Sequence, residues 1–301
     1  PFMAAIDQSF DAFVVECSSF RLQFTEAFRC DASVWLNLAP DHLDWHGSLG
    51  NYTGAKRRLW AHAGTGDVVI APVNNEMILE SARATPARCV TFGLESGDYT
   101  VSSKSLVSPH GVICSVDELW RALPHDITNS LAAAALVIES GLSGVGDVAA
   151  PLHSFESAHH RIELVGHFDG SAWYDDSKAT SPHAALTAIR SFEHVVLIAG
   201  GRNKNLDLRQ MATEPQRMVG VVAIGDDADA IRRAFEGVCV VQDATSMEEA
   251  VALAHSMAMN GASVLLSPGC TSYDWYNNYN ERGDDFQDNV RKYFSRTELS
   301  S

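Results

Sequence analysis

The stretch 194–201, HVVLIAGG, decides the fold of this 301-residue chain. A short β-branched apolar run that ends on two glycines is typical of a strand buried on both faces of a parallel sheet. Four similar runs flank it, separated by helical patterns: SAWYDDS (171–177), MVGVVAIG (218–225), VCVVQDA (238–244) and ASVLLSPG (262–269). This alternation predicts a doubly wound, Rossmann-like α/β domain whose ligands gather at the carboxyl ends of the strands.

The first half of the chain also predicts an α/β domain with a mostly parallel sheet. Buried strands are expected at FVVEC (13–17), VWLNLA (34–39) and DVVIAPV (67–73), and a helix at 126–142. Shorter, more exposed strands are expected at CVTFG (89–93) and LVSPHGVICSV (106–116). We place the boundary near 157–160, which gives domains 1–157 and 158–301. The chain opens without Met, so a fragment is expected.

Composition excludes several classes of protein. The formal net charge is −16, which repels nucleic acid and anionic membrane surfaces, so no nucleic-acid partner is expected. The longest apolar run, LAAAALVI (131–138), is too short to span a bilayer, so no membrane insertion is expected. Six cysteines without a CxxC pair favour reduced thiols and a cytoplasmic location.

The segment 40–56, PDHLDWHGSLGNYTGAK, concentrates side chains that can bind a metal. Lys56 shares a helix face with Tyr52 and Trp60, so its amine should be desolvated. A neutral amine can add CO2 and become a carbamate, an anionic oxygen ligand for Mg²⁺. The alternative is a lysine whose stem covers apolar surface while its head reaches water. His42 could coordinate a metal or bind a substrate, or it could be an ordinary loop histidine.

Glu16 ends a predicted buried strand, where a carboxylate needs a cation or a metal as partner. Its hard oxygen ligands suit Mg²⁺. Capping of the following turn is an equally good interpretation of this stretch.

Two further stretches follow predicted strands of the second half. In YDDSKATSPHAA (174–185), Asp176 and Lys178 crowd a strand–helix junction where backbone N–H groups favour anions and an acid can hold ribose hydroxyls. In LIAGGRNKNLDL (197–208), the two glycines allow a close backbone approach and Lys204 supplies charge. A capped helix with a surface ion pair and a tight strand–helix turn are the simpler interpretations.

Taken together, these segments resemble the Mur ligase family, and the match follows the family's order along nearly the whole chain. The matching motifs are ECSSF, DHLDWHG, NYTGAK, DITNSLAAA, HHRIE, DDSKAT, AGGRNKNLD and LLSPGCTSYDWYNNYNERGDDF. The last is the most specific, because it resembles the branch that adds D-glutamate and not its sister ligases. The resemblance implies a central ATPase domain of the P-loop type, truncated here, followed by the Rossmann-like domain.

The resemblance also implies a role for individual residues. The implied Mg²⁺ ligands are Glu16, His42 and a carbamylated Lys56. The implied ATP-binding residues are Asn129, Arg161 and Asp176. Arg161, with His42 and Lys56, is also implied to act in catalysis. Ser18 would touch the UDP-muramoyl substrate. The residues implied to surround D-glutamate are Lys178, Thr180, Lys204, Ser272, Tyr273 and Tyr279.

The implied activity is ATP-dependent addition of D-glutamate to UDP-N-acetylmuramoyl-L-alanine through an acyl phosphate, in peptidoglycan precursor synthesis. ATP and Mg²⁺ are the implied co-substrate and cofactor, and a monomer is expected. Asp126 and Ser181 stand where the family usually has Asn, and no G-x-x-x-x-G-K-[ST] phosphate loop occurs, so the chain alone is expected to be inactive. The alternatives are a non-catalytic nucleotide-binding partner, another Mur-family ligase and, with a poorer fit, a metal-dependent amidohydrolase.

Overall fold

A computed structural model describes residues 9–258 and 261–298. The chain divides into two compact units. The first comprises Pro1–Ala39 with Trp45–Glu156, and the second comprises Pro40–Asp44 with Ser157–Ser301. Among the described helices, none is long and apolar enough to cross a membrane.

The first unit contains two small sheets. Its parallel sheet has the order β1 (Ala32–Val34), β2 (Val68–Pro72) and β3 (Arg88–Phe92). All five residues of β2 are buried, as expected for a central strand with both faces covered. An antiparallel sheet follows, formed by β4 (Thr100–Ser102), β5 (Ser105–Ser108) and β6 (Gly111–Ser115).

The helices of the first unit are mostly short. They are α1 (Ser19–Leu22), α2 (Leu43–His46), α3 (Leu49–Arg57), α4 (Glu76–Arg83), α5 (Pro124–Glu139) and α6 (Val145–His153). Single 3-10 turns occupy Arg58–Trp60 and Val116–Glu118. The first two residues of α2 group with the second unit. The helix predicted at 126–142 is confirmed as α5, whose alanine-rich face packs with β2 and β3 in one core cluster.

Two strand predictions in this unit are wrong. Residues 13–17 form no strand and are largely exposed, and Val14 is 90% exposed. The strand predicted at 34–39 lies instead at Ala32–Val34. A β-branched run becomes a strand only where a neighbouring strand takes its backbone hydrogen bonds. Strand β1 pairs with β2 on one side, and no described strand lies on its other side.

The second unit is built on one six-stranded sheet. Its strands are β7 (Glu163–Phe168), β8 (Ser171–Asp175), β9 (Val195–Gly200), β10 (Met218–Ile224), β11 (Val240–Asp243) and β12 (Ser263–Gly269). The spatial order is β11-β10-β9-β12-β8-β7, and every pair is parallel except β7 with β8. The predicted Rossmann-like arrangement is confirmed.

Helices cover both faces of this sheet. They are α7 (Pro182–Ile189), α8 (Ala228–Ala234), α9 (Met247–Met257) and α10 (Tyr279–Glu298), with 3-10 turns at Leu208–Ala212 and Pro215–Arg217. On one face, α9 and α10 pack against a cluster that includes Val196 and Leu266. Alternate residues such as Leu197 point to the other face and are equally buried.

The topology brings four chain segments to one edge. Strands β9, β12 and β8 are adjacent and parallel, so their carboxyl ends meet. Strand β7 runs the opposite way and pairs Glu163 with Asp175, so its first residues lie beside the end of β8. We call this place the carboxyl edge of the second unit.

Candidate functional site

Most of the residues predicted to bind ATP or D-glutamate in the second unit follow strands that end at the carboxyl edge. Asp176, Lys178 and Thr180 come after β8, Lys204 comes after β9, and Ser272 and Tyr273 come after β12. Arg161 precedes β7, and Tyr279 begins α10. The sheet therefore gathers segments that lie more than a hundred residues apart in sequence.

Asp176 is the most perturbed acid at this edge. It is buried, accepts a hydrogen bond from the Ser267 hydroxyl at 2.7 Å, and accepts another from the backbone N–H of Ile162 at 3.3 Å. Burial raises the pKa of Asp176 to about 7, and the charge of Asp175 adds to this rise. The two hydrogen bonds and the charge of Arg161 oppose the rise in this pKa. Arg161 and Asp176 therefore interact electrostatically, and this carboxyl group can change its protonation state near neutral pH.

Lys178 and Tyr279 lie side by side, each half-buried. The Lys178 ammonium is 5.1 Å from the centre of the Tyr279 ring, within range of a cation–π contact. The Ser177 hydroxyl donates to the backbone carbonyl of Tyr279 at 2.7 Å, which ties the start of α10 to the end of β8. The structure thus brings together two residues that the sequence placed in the D-glutamate site.

Arg282 was missed at the sequence level although it stands inside the YNERG motif. It is almost fully buried, and burial lowers the pKa of its guanidinium to about 10. It donates to the hydroxyl and carbonyl oxygens of Ser177 at 2.9 and 2.7 Å and to the carbonyl of Cys270 at 3.1 Å. Arg282 therefore joins the loops that follow β8 and β12 at the carboxyl edge.

Lys204 forms an ion pair within the second unit. Its ammonium is 2.7 Å from an Asp41 carboxylate oxygen, which also accepts the backbone N–H of His42 at 2.8 Å. The loop that carries Lys204 is fixed to the loop after β12 by two backbone hydrogen bonds of 2.9 Å between Arg202 and Thr271. In that second loop, Ser272 is buried, whereas Tyr273 is 64% exposed.

The two glycines at the end of β9, Gly200 and Gly201, allow close packing within the chain. A Cβ atom on Gly200 would lie 2.0 Å from the carbonyl oxygen of Ile224, and one on Gly201 would lie 2.2 Å from that of Thr271. Both glycines also have positive φ. Close packing of neighbouring backbone is sufficient to require both glycines, as the simpler interpretation of a tight turn predicts.

Of the predicted metal ligands, Lys56 and Glu16 lie in the first unit and His42 in the second. Lys56 is half-buried on α3, with its ammonium 5.3 Å from the centre of the Tyr52 ring, so the predicted shared face is confirmed. Glu16 is exposed on the irregular segment before α1. A carboxylate and a carbamate are both hard oxygen donors that fit Mg²⁺, whereas an unmodified ammonium does not. The three-residue ligand set stays a prediction.

The structure does gather one group with metal-ligand chemistry among the described residues. His160, Glu163 and Asp175 each offer a ligand atom within 4.8 Å of the others. However, His160 Nδ1 is 2.7 Å from an Asp175 oxygen, and a Glu163 oxygen accepts the backbone N–H of His160 at 2.9 Å. These atoms satisfy one another, so the group forms a hydrogen-bonded network at the carboxyl edge.

The other predicted site residues of the first unit are Ser18 and Asn129, whose proposed roles stay predictions. Ser18 is the N-cap of α1 and accepts the backbone N–H of Arg21 at 3.4 Å. Asn129 is exposed on α5. Asp126, one turn earlier, is buried and accepts a two-point contact from Arg121 at 2.6 and 3.0 Å. Burial favours a higher pKa for Asp126, but hydrogen bonds from His125 and Arg121 prevail and lower it.

Ser181 is the N-cap residue of α7, with Pro182 in the first turn. Its side chain makes no capping hydrogen bond. Ser181, which stands where the family usually has Asn, is therefore buried at the start of α7 without capping the helix through its side chain.

Comparison with known families matches both halves of the chain. The Mur ligase middle domain matches residues 2–137, and the "Mur ligase, glutamate ligase domain" matches residues 160–270. The UDP-N-acetylmuramoylalanine–D-glutamate ligase of Pelotomaculum thermopropionicum is 36% identical over 291 residues, which are 93% of this chain and 64% of that ligase. The ligase of the same name from Myxococcus xanthus is 37% identical, over 92% of this chain and 64% of its own length. The chain thus spans slightly less than two thirds of the length of these curated relatives.

Solved structures of similar fold are more distant in sequence. MurF from Acinetobacter baumannii superposes with a TM-score of 0.64 at 19% identity, covering 86% of this chain and 60% of that one. MurF from Thermotoga maritima in complex with ADP gives 0.64 at 16% identity, covering 89% and 63%. At these identities the likeness concerns the fold.

Proposed function

This chain belongs to the Mur ligase family, and on that premise we propose that the full-length protein is an ATP-dependent ligase that joins D-glutamate to UDP-N-acetylmuramoyl-L-alanine. The observation that carries the proposal is the carboxyl edge of the second unit. There the fold collects cationic side chains beside a buried acid: Arg161 with Asp176, and Lys178 with Tyr279. Anionic groups of a nucleotide and of an amino acid are the ligands that this chemistry suits.

The proposed roles follow the positions of these residues. Asp176 would hold the ribose of ATP and Arg161 a phosphate, because a guanidinium can grip a phosphate through two parallel hydrogen bonds. Lys204 would bind a carboxylate of D-glutamate, and in the structure its ammonium already binds the carboxylate of Asp41. The other residues proposed around D-glutamate are Lys178, Thr180, Ser272, Tyr273 and Tyr279.

The chemistry requires activation of a carboxylate, which is a poor electrophile. A carboxylate oxygen of the muramoyl-L-alanine substrate displaces ADP from the γ-phosphorus and forms an acyl phosphate. The amine of D-glutamate then attacks the carbonyl carbon, loses a proton and expels phosphate. Arg161 would offset the negative charge of the phosphate groups. Mg²⁺, which we propose is held by Glu16, His42 and the carbamate of Lys56, would supply further charge neutralisation.

The cellular setting follows from the same proposal. All six cysteines are free, and two of them, Cys114 and Cys270, are buried. Reduced thiols suit a cytoplasmic enzyme that uses ATP and makes a soluble precursor. We propose this location and a monomeric state for the full-length protein.

The test is phosphate release by the full-length protein supplied with ATP, Mg²⁺ and UDP-N-acetylmuramoyl-L-alanine. We expect release with D-glutamate and none above background with L-lysine or meso-diaminopimelate. Equal turnover with a diamino acid would remove the D-glutamate assignment, and no release with any amino acid would favour a non-catalytic nucleotide-binding protein.

A further inference from the structure

The short turn that carries Arg161, residues 160–162, has an unusual backbone. His160 and Ile162 both have positive φ, at 61° and 49°. This region disfavours side chains with a Cβ atom, and a β-branched residue such as Ile is a rare occupant. A conformation of this kind is strained and persists only where the surroundings impose it. Something must therefore hold the turn.

Backbone hydrogen bonds hold the turn from three sides. The N–H of His160 donates to Glu163 at 2.9 Å, and the carbonyl of His160 accepts the backbone N–H of Lys178 at 3.2 Å. The N–H of Ile162 donates to Asp176 at 3.3 Å. The turn is thus tied to the loop after β8, which carries the residues proposed for ATP and D-glutamate.

The His160 side chain adds an anchor that points into the protein. His160 is 4% exposed, and its Nδ1 lies 2.7 Å from an oxygen of the fully buried Asp175. The same carboxylate accepts the Gln287 amide at 2.9 Å and the backbone N–H of Ser177 at 2.9 Å. A carboxylate with three donors is well satisfied in the interior, so it makes a rigid attachment point.

Gly283 on α10 leaves the space for this anchor. A Cβ atom there would lie 2.1 Å from His160 Nδ1 and 2.8 Å from the nearest Asp175 oxygen. The histidine, the aspartate and the glycine come from the turn, from β8 and from α10. Their close fit indicates that buried residues of the second unit fix the position of the turn.

Arg161 is exposed between the two anchored residues. A long arginine side chain loses substantial conformational freedom when it grips a phosphate, so a fixed backbone beneath it reduces the cost of binding. We propose that the hydrogen bond between His160 and Asp175 positions Arg161 relative to Asp176, so that both contact the same bound nucleotide. This inference rests on the proposed function, and His160 acts in it as a positioning residue.

The experiment measures phosphate release by the full-length protein and compares His160→Ala with His160→Asn. Alanine removes the anchor. The Asn side-chain amide can donate from the place of Nδ1, and Asn tolerates positive φ, so it should preserve the turn. We expect His160→Ala to raise the KM for ATP roughly tenfold and to lower kcat, with the KM for D-glutamate nearly unchanged. His160→Asn should stay within about threefold of wild type.

His255→Ala is the matched control. This histidine also makes two side-chain hydrogen bonds, to Tyr293 and to Asp169 at 3.1 Å each, but it lies near the end of α9 and contacts the β7–β8 turn, at the opposite edge of the sheet. Its loss should affect the melting temperature and not the KM for ATP. If His160→Ala does not fold, Gln287→Ala removes one donor to Asp175 while His160 stays, and a rise in the KM for ATP of roughly threefold is expected.

The outcomes separate the two proposals. An inactive wild-type protein overturns the proposed function and the nucleotide role of the turn with it. If the wild type is active and His160→Ala keeps its KM for ATP within twofold, only the positioning role is overturned. The same holds for Gln287→Ala if His160→Ala does not fold. Equal impairment of the Ala and Asn variants would also overturn it, because the hydrogen bond would then not be the feature that matters.

Discussion

The two units differ in how completely their parallel sheets are built. In the second unit, four of the six strands have a neighbour on each side, and helices cover both faces. In the first unit, the parallel sheet has three strands among the described residues, and the apolar residues 13–17 are largely exposed and form no strand.

This difference between the two sheets decides which predicted site residues can be related to strand ends. The carboxyl ends of a parallel sheet place side chains from distant segments together. In the second unit, Arg161 influences Asp176 electrostatically at this edge, and Lys178 lies against the Tyr279 ring. In the first unit, Glu16 lies in residues 13–17, which pair with no strand among the described residues, so its predicted role rests on the family resemblance alone.

The largest expected effect is at Lys56. If it acts as a carbamate ligand, Lys56→Ala in the full-length protein should lower phosphate release by about a thousandfold or more. Formate or acetate should then restore part of the activity by filling the vacated space. Lys56→Arg should not respond, because its guanidinium fills the space with the wrong charge.

Arg57→Ala is the matched control for this experiment. Arg57 is adjacent on α3, exposed and hydrogen-bonded to Ser81 at 3.0 Å, so its loss should leave turnover nearly unchanged. Substantial activity of Lys56→Ala without any added carboxylate would contradict the carbamate and favour a lysine that only covers apolar surface.

The next effect concerns the stability of the first unit. Arg121→Ala would leave the Asp126 carboxylate buried without its two-point partner, and we expect a loss of about 2–3 kcal/mol in the free energy of unfolding by urea. Asp126→Asn in the same background should recover part of this loss, since the buried charge is then gone. Arg209→Ala, which breaks an exposed pair with Asp207, should change the unfolding midpoint little. An Arg121→Ala protein as stable as wild type would show that the pair is incidental.

A smaller effect is expected at the carboxyl edge of the second unit. Arg161→Lys should lower turnover by roughly tenfold or more while the melting temperature stays nearly constant, because a point charge does not replace a two-point guanidinium grip. Arg233→Lys, in the same unit and exposed on α8, provides the comparison. Full turnover of Arg161→Lys would reduce Arg161 to a residue of the linking segment.

The smallest effect is a pH dependence at Asp176. Its folded pKa, near 7, lies above the ordinary value of 3.8, so the unfolded chain binds fewer protons between these values and stability falls as pH rises through that window. Asp176→Asn removes this contribution. The melting temperature of the variant relative to wild type should therefore increase between pH 5 and pH 8, by at least roughly 2 °C.

Asp288→Asn is the control for that titration, since Asp288 has an 81% exposed side chain on α10. Its melting temperature should follow that of wild type across the same range. A constant difference between Asp176→Asn and wild type at all pH values would show that burial does not perturb this acid.

Much of the second unit could be predicted from its sequence because each strand pattern has a paired neighbour. The strands lie at the β-branched runs that predicted them, on both sides of HVVLIAGG. Asp176 and Lys204 follow strand ends, as expected. Strand β7 and the long helix α10 were not predicted. The β7 segment contains Gly166 and His167, which break the apolar alternation, and α10 is rich in charged and polar residues.

The buried polar contacts of the site could not be predicted from the sequence for a different reason. His160, Asp175, Gln287 and Arg282 pair across distances of 12 to 112 residues, and no local pattern records such partners. The motifs HHRIE and NERGDDF marked the right segments. The positive φ of His160 and the space left by Gly283 exist only in the folded chain.

The most direct test of the ligase proposal follows one oxygen atom. UDP-N-acetylmuramoyl-L-alanine labelled with ¹⁸O in its terminal carboxylate is incubated with the full-length protein, ATP, Mg²⁺ and D-glutamate, and the released phosphate is analysed by mass spectrometry. An acyl phosphate requires that one labelled oxygen leave with phosphate while the other stays in the new amide. Phosphate that carries ¹⁸O in a one-to-one ratio with the product is the predicted result, and unlabelled phosphate formed alongside product would contradict the mechanism.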